Sequence, residues 1–217
     1  MRYKCLVFDH DDTAVNSTAT IHHPSFVEYL KDYGFDKTCS FEDYVLGCFH
    51  HGCPGFFYYM GLNDADMEIE EQYWKDYVAT RIPVAYPGIK EIMEEQKRRG
   101  GYIAVVSHSM ENTILRDYKE NGLPEPDLVY GWGRPANERK PYPFPLMDIM
   151  EKFNLNKEDL LMIDDLKPGY DMAKECGVDF AAASWAYDIP EVADFMRAND
   201  TYFFNTINEL RSFLFDD

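Results

Sequence analysis

The sequence predicts an α/β protein: a doubly wound (Rossmann-like) parallel sheet with a small α-helical cap domain inserted after the first strand. Two observations predict it. Short apolar runs rich in strand formers alternate with stretches of helical character, the pattern of strand–helix–strand units built around a parallel sheet. The interval between the first and second runs, from about Asn16 to Ala85, is mostly helical in pattern and holds no convincing strand.

The first run, Tyr3 to Phe8, reads Y-K-C-L-V-F and stops abruptly at Asp9-His10-Asp11-Asp12, as a buried parallel strand does when it ends in a polar loop. The same grammar recurs at Tyr102 to Val106 before Ser107-His108-Ser109, and at Leu160 to Ile163 before Asp164-Asp165. Weaker copies lie at Leu128 to Tyr130 and Phe180 to Ala183. Between them fall the helical stretches Gly88 to Arg99, Glu111 to Asn121, Pro143 to Phe153, Gly169 to Cys176 and Pro190 to Ala198. Ligands of such a sheet sit beyond the carboxyl ends of its strands. Three of the five predicted strands end in residues suited to phosphate or metal.

Residues 1–15 and 86–217 are therefore expected to form the core domain, and residues 16–85 the cap. In the cap, Pro24 to Leu30 opens one helix, closed at Gly34. Asp64 to Thr80 is a second, with acidic first turns as the helix dipole favours. The crossings near Val15 to Thr20 and Arg81 to Tyr86 are candidate hinges.

A chain of 217 residues with 46% hydrophobic content buries one full α/β core and still carries an appendage. Its 21 Lys and Arg against 39 Asp and Glu give a net charge of -18 with no concentrated basic patch, so nucleic acid is not an expected partner. Acidity does not bar a small phosphorylated substrate, because a metal ion and one or two placed cations reverse the field locally. The five cysteines, Cys5, Cys39, Cys48, Cys53 and Cys176, are odd in number and scattered, and no charged-then-apolar leader opens the chain. A reducing cytoplasm is the expected location. No run approaches the roughly 20 apolar residues of a membrane span, so a soluble monomer or homodimer is expected, without a membrane partner.

Asp9-x-Asp11-x-Thr13 directly after an apolar strand is the strongest chemical signal. Two carboxylates two residues apart can divide phosphoryl transfer, Asp9 attacking phosphorus while Asp11 protonates the leaving oxygen and then activates water. The same residues could instead form an acidic turn with Thr13 as a capping hydroxyl. Asp164-Asp165 adds two carboxylates at another strand end, an oxygen-rich site that suits Mg²⁺, or else an N-cap for the helix that starts near Pro168. Ser107 can donate to a phosphoryl oxygen with the amides that follow it, and Lys140 can neutralise phosphoryl group and nucleophile. His108 either hydrogen-bonds substrate or is a solvated loop histidine. These groups occur in a fixed order, three of them at strand ends and Lys140 in a loop between strands. Their conjunction is more specific than any part.

In V-F-Asp9-H-Asp11-D-Thr13, V-V-Ser107-H-S, Lys140-P and M-I-Asp164-Asp165-x-x-x-Gly169, the sequence resembles the haloacid dehalogenase superfamily across nearly its whole length. Tyr86-Pro87-Gly88, K-P-Y-P-F-P from Lys140 and the tail S-W-A-Y-D-I-P-E from Ser184 are similar to the phosphoglycolate phosphatase and β-phosphoglucomutase branch, which has a helical cap between its first two motifs. The resemblance implies that Asp9 is the nucleophile and Asp11 the general acid/base, with Ser107 and Lys140 holding the phosphoryl group; Thr13 and His108 are further candidates to bind phosphate. It implies Mg²⁺ held by Asp9, the Asp11 backbone carbonyl, Asp165, and Asp164 directly or through water. The implied activity is Mg²⁺-dependent hydrolysis of a small phosphorylated metabolite through an aspartyl-phosphate. A phosphomutase and a non-catalytic binding protein of the same fold are the alternatives. Asp12 stands where the family usually has Gly, which implies an altered turn or an extra negative charge near the metal.

Cys48-Phe49-His50-His51-Gly52-Cys53 holds four potential zinc ligands in six residues, but no second ligand pair is visible to complete a tetrahedral site. It is expected as a cap loop facing the active site or as packed cap interior. The aromatic Tyr202-Phe203-Phe204 is expected as core packing.

Overall fold

Strand β1 (Cys5–Phe8), whose four residues are fully buried, lies inside a six-stranded parallel sheet in the computed structural model, which describes residues 1–199 and 202–216. The chain continues through a short strand β2 (Val15–Asn16), helices α1 (His23–Asp32), α2 (Phe41–Tyr59) and α3 (Asp64–Ala79), and a short strand β3 (Val84–Ala85). It then alternates α4 (Ile89–Arg98), β4 (Tyr102–Val106), α5 (Glu111–Glu120), β5 (Leu128–Tyr130), α6 (Phe144–Phe153), β6 (Leu160–Asp164), α7 (Lys167–Cys176), β7 (Asp179–Ala183), α8 (Pro190–Ala198), β8 (Tyr202–Phe204) and α9 (Ile207–Phe215). Two compact units result, Met1–Val15 with Ala85–Asp217, and Asn16–Val84.

In the first unit the strand order is β5-β4-β1-β6-β7-β8. Phe8 is in register with Val105 of β4 and with Ile163 of β6. The chain leaves β1 for β4 and β5 on one side, then crosses to β6, β7 and β8 on the other. The loops after β1, β4 and β6 therefore diverge around a crevice at the carboxyl edge, where α/β sheets bind ligands. Leu6, Phe8, Ile103, Val105, Leu161 and Ile163 pack with Ile89, Ile92 and Met93 of α4 and with Leu210 and Leu214 of α9, all buried. Such burial is the dominant stabilising term and holds the strand ends rigid.

In this unit two elements depart from the sequence-based expectation. Phe204 packs in the core with Tyr202 against it, and Tyr202–Phe204 pairs with Ala181, Ala182 and Ala183 as a sixth strand, too short to show a period of its own. Helix α9 follows it, started by a capping box in which Thr206 Oγ1 accepts from Glu209 N at 3.2 Å.

The second unit is helical. Ser40 and Asn63 open α2 and α3 with capping boxes. Phe26 packs on Tyr44, Phe56 and Phe57 with ring centroids 4.8–5.9 Å apart. Gly47 makes room for this cluster, since a Cβ there would come within 2.0 Å of the Phe56 ring. The segment Cys48 to Cys53, expected as a loop, is helical and lies within α2, which breaks at Gly52. Burial of Cys48 and Phe49 overrides the low helix propensity of the glycines around them. The crossings carry β2 and β3, which pair as a two-stranded ribbon. No described helix is long and apolar enough to cross a membrane.

Candidate active site

The site is built on three strand ends of the first unit. Asp9 follows β1 directly, and its N–H donates to the Ile163 carbonyl at 2.8 Å, tying it to β6. The next residues form a tight turn in which Asp12 N donates to Val15 O at 2.8 Å and Ala14 N to His10 O at 3.0 Å. Asp12 has φ 59. That left-handed geometry suits glycine, and Asp is among the few other residues that tolerate it. The turn is further held from below, where His10 Nε2 donates to the buried Asp117 Oδ2 at 3.2 Å.

Lys140 links the strand ends. Its buried Nζ donates to Asp9 Oδ1 at 2.6 Å and to Asp164 Oδ2 at 2.8 Å. Asp11 points elsewhere: its Oδ2 accepts from Ser107 Oγ at 3.1 Å and from Ser109 Oγ at 2.8 Å. The two carboxylates of the D-x-D turn thus have separate partners. Asp164 Oδ1 also accepts from Leu166 N at 2.8 Å, so this residue orders the turn into α7 as well as meeting the lysine. Gly169 is required one helical turn on, because a Cβ there would lie 2.1 Å from Asp164 Oδ2.

Two residues expected at the phosphate have other partners. Thr13 Oγ1 donates to Asp165 Oδ1 at 3.4 Å. His108 Nε2 donates to the Lys140 carbonyl at 2.8 Å, and its half-buried ring meets Trp132 edge-on, so it is not a freely solvated loop residue.

The electrostatics are unbalanced. Burial, with Asp164 and Asp11 adding, pushes the Asp9 carboxyl well above the usual carboxylate range although Lys140 opposes this. Burial, then Asp164, Asp9 and Asp12, push Asp165 up in the same way. Burial alone works against the Lys140 charge, yet Asp164 and Asp9 hold the ammonium above its ordinary range. Lys140 meets two of these carboxylates, Asp9 and Asp164. Asp9, Asp164 and Asp165 each offer an oxygen within 4.8 Å of the others, and all three are buried. An all-oxygen, net-negative donor set of this kind fits a hard divalent cation such as Mg²⁺. The Asp11 carboxylate lies outside that group.

The model of the haloacid dehalogenase-like hydrolases matches residues 6–183. The chain belongs to this family. Among curated relatives of this haloacid dehalogenase-like hydrolase, a phosphoglycolate phosphatase of Aquifex aeolicus is 26% identical over 189 residues, covering 85% of this chain and 86% of that one. The pyrophosphatase PpaX of Listeria innocua is 25% identical over 190 residues, covering 86% and 85%. The crystal structure of a predicted phosphoglycolate phosphatase from Haemophilus somnus superposes with a TM-score of 0.82 at 20% identity over 99% of both chains, a likeness of fold. The chain is a phosphatase-type hydrolase of the family.

Sequence reasoning missed three side chains at the site of this hydrolase. Ser109 shares the Asp11 carboxylate with Ser107, and its place two residues along the same strand end was the available signal. Tyr187 OH donates to Asp165 Oδ2 at 2.6 Å, and its neighbour Trp185 Nε1 donates to the Thr13 carbonyl at 3.2 Å. Both lie in the tail from Ser184, whose family resemblance was visible but whose contacts depend on how β7 ends beside β6.

Proposed function

We propose that this hydrolase cleaves a small phosphorylated metabolite, of the phosphoglycolate or sugar-phosphate type, through an aspartyl-phosphate on Asp9. The observation that carries the reading is the division of partners in the D-x-D turn: Lys140 and the second acidic pair meet Asp9, whereas two serine hydroxyls hold Asp11. A nucleophile and an acid/base need such different placements, because attacking and leaving oxygens lie in line across phosphorus.

In this mechanism Asp9 Oδ attacks phosphorus, and Asp11 gives its proton to the leaving oxygen. Asp11 then takes a proton from the water that attacks the aspartyl-phosphate, which restores Asp9 and releases phosphate. Lys140 favours the ionised form of Asp9, opposing its burial, and offers charge to the phosphoryl oxygens. Ser107 exchanges Asp11 for a phosphoryl oxygen when substrate enters, and Ser109 keeps Asp11 oriented. Thr13 and His108 act through Asp165 and the Lys140 loop. Asp9, Asp165, the Asp11 carbonyl, and Asp164 directly or through water would hold Mg²⁺. Bound there, Mg²⁺ supplies positive charge that offsets the repulsion between substrate and carboxylates.

The test is turnover of a phosphometabolite panel with and without Mg²⁺, including 2-phosphoglycolate, hexose phosphates and inorganic pyrophosphate, the last because a pyrophosphatase is among the relatives. Phosphate release that needs Mg²⁺ and vanishes in Asp9→Asn is the expected result. An isomerised sugar phosphate without net phosphate release would make the protein a mutase, and an inert wild type across the panel would favour a binding protein.

A further inference from the structure

The motif Cys48 to Cys53 is not accounted for by hydrolase chemistry. In an unbroken α-helix, residues five apart are turned about 140° from each other and lie about 7.5 Å apart along the axis, so their side chains do not meet. In α2 they do. Gly52 has φ 70 and ψ 164, a backbone combination essentially closed to residues with side chains, and the break brings Cys48 Sγ within 3.7 Å of Cys53 Sγ. Both are thiols, Cys48 buried and Cys53 half-buried, so Cys53 is the more accessible residue of the pair. A disulfide has sulfurs about 2.05 Å apart, which leaves well under 2 Å of closure.

We propose that Cys48 and Cys53 form a modification site, a dithiol that a hydroperoxide converts to an intrachain disulfide. The Cys53 thiolate attacks one peroxide oxygen, the O–O bond breaks, and the other oxygen leaves as water after taking a proton, which makes Cys53 a sulfenic acid. Cys48 sulfur then attacks Cys53 sulfur, the S–O bond breaks, and a second water leaves with the Cys48 proton. In sum, two thiols and one hydrogen peroxide give one disulfide and two waters. The sulfurs lose the two electrons that the peroxide gains. The product closes a six-residue ring around the exposed His50 and His51 and keeps α2 from straightening, because a straight helix would part the two sulfurs.

The test uses the full reduced chain and stoichiometric hydrogen peroxide, read by thiol titration, intact mass and peptide mapping. The expected result is loss of two of the five thiols, a mass lower by two hydrogens, a Cys48–Cys53 cross-linked peptide, and full reversal by dithiothreitol. Cys176→Ser should behave like the wild type, and Cys48→Ser should stop at the Cys53 sulfenic acid. A folded Gly52→Ala, checked by circular dichroism, should form the bond at least tenfold more slowly. Retention of all five thiols, a sulfinic acid at Cys53 with Cys48 still free, or pairing through any other cysteine would overturn the proposal.

Discussion

The Tyr187 hydroxyl donates to Asp165 Oδ2 at 2.6 Å, while Thr13 reaches the other oxygen of the same carboxylate at 3.4 Å. Asp165 is thereby held at both oxygens, and Tyr187 works against the burial that pushes its carboxyl up. Groups that orient a metal-binding carboxylate commonly change metal affinity by 10–100-fold when removed. Tyr187→Phe should therefore weaken Mg²⁺ binding by about tenfold. Calorimetric titration of Mg²⁺ into the two proteins checks this, and equal affinities would show that the phenol only fills space.

Lys140 bonds to Asp9 and Asp164, two of the three buried carboxylates that cluster with Asp165. Lys140→Met leaves Asp9 and Asp164 without it, and breaking a buried pair from one side costs about 3 kcal/mol or more. The variant should unfold at lower denaturant concentration, recover part of the loss in excess Mg²⁺, and lose phosphatase turnover by at least a hundredfold. Denaturant titrations with and without Mg²⁺ separate the two effects. Stability equal to wild type without Mg²⁺ would mean that protonation of the carboxylates already neutralises the cluster.

Asp12 keeps the left-handed turn, so its charge is the sharper consequence of its presence: it helps to push Asp165 up. Asp12→Gly relieves the backbone but gives the unfolded chain more freedom, and these effects are each about 1 kcal/mol and opposite in sign. Folding stability should change little, and Mg²⁺ affinity should fall severalfold with the lost negative charge. A gain in affinity would show that Asp12 obstructs the cation.

Glu70 lies buried in α3, and burial pushes its carboxyl up to about 7, with Cys53 and Glu71 adding and His22 opposing. Its folded pKa exceeds the ordinary value near 4.5, so its contribution to stability is fully present below about pH 4.5 and is lost as pH rises through about 7. The slope is at most about 1.4 kcal/mol per pH unit. Amide hydrogen exchange of the helical unit across this window should show the decline in wild type and a flat profile in Glu70→Gln. Parallel profiles would place the titration elsewhere.

Much of the fold is legible in local patterns. The runs before Asp9, Ser107 and Asp164 read as buried strands because a parallel strand covered on both faces is apolar throughout and turns polar where it leaves the sheet. Helix α9 was also legible, through T-I-N-E from Thr206, yet passes unnoticed when only apolar periodicity is followed. Helix α2 was not, since three glycines and a proline hide it until its buried face is known.

The sequence by itself determined the fold class and the acidic and basic groups that stand at strand ends, because these follow from composition and spacing along a short stretch of chain, and its motifs carried the resemblance to the family. Only the tertiary structure decided which group meets which: Lys140 with Asp9 and Asp164, Ser109 with Asp11, Tyr187 with Asp165, and Cys48 with Cys53 across a broken helix. Those pairings depend on strand order, register and a single backbone torsion pair at Gly52. Hydrogen-bond distances of about 3 Å are set by the sum of all packing in the core, and no local pattern carries that sum.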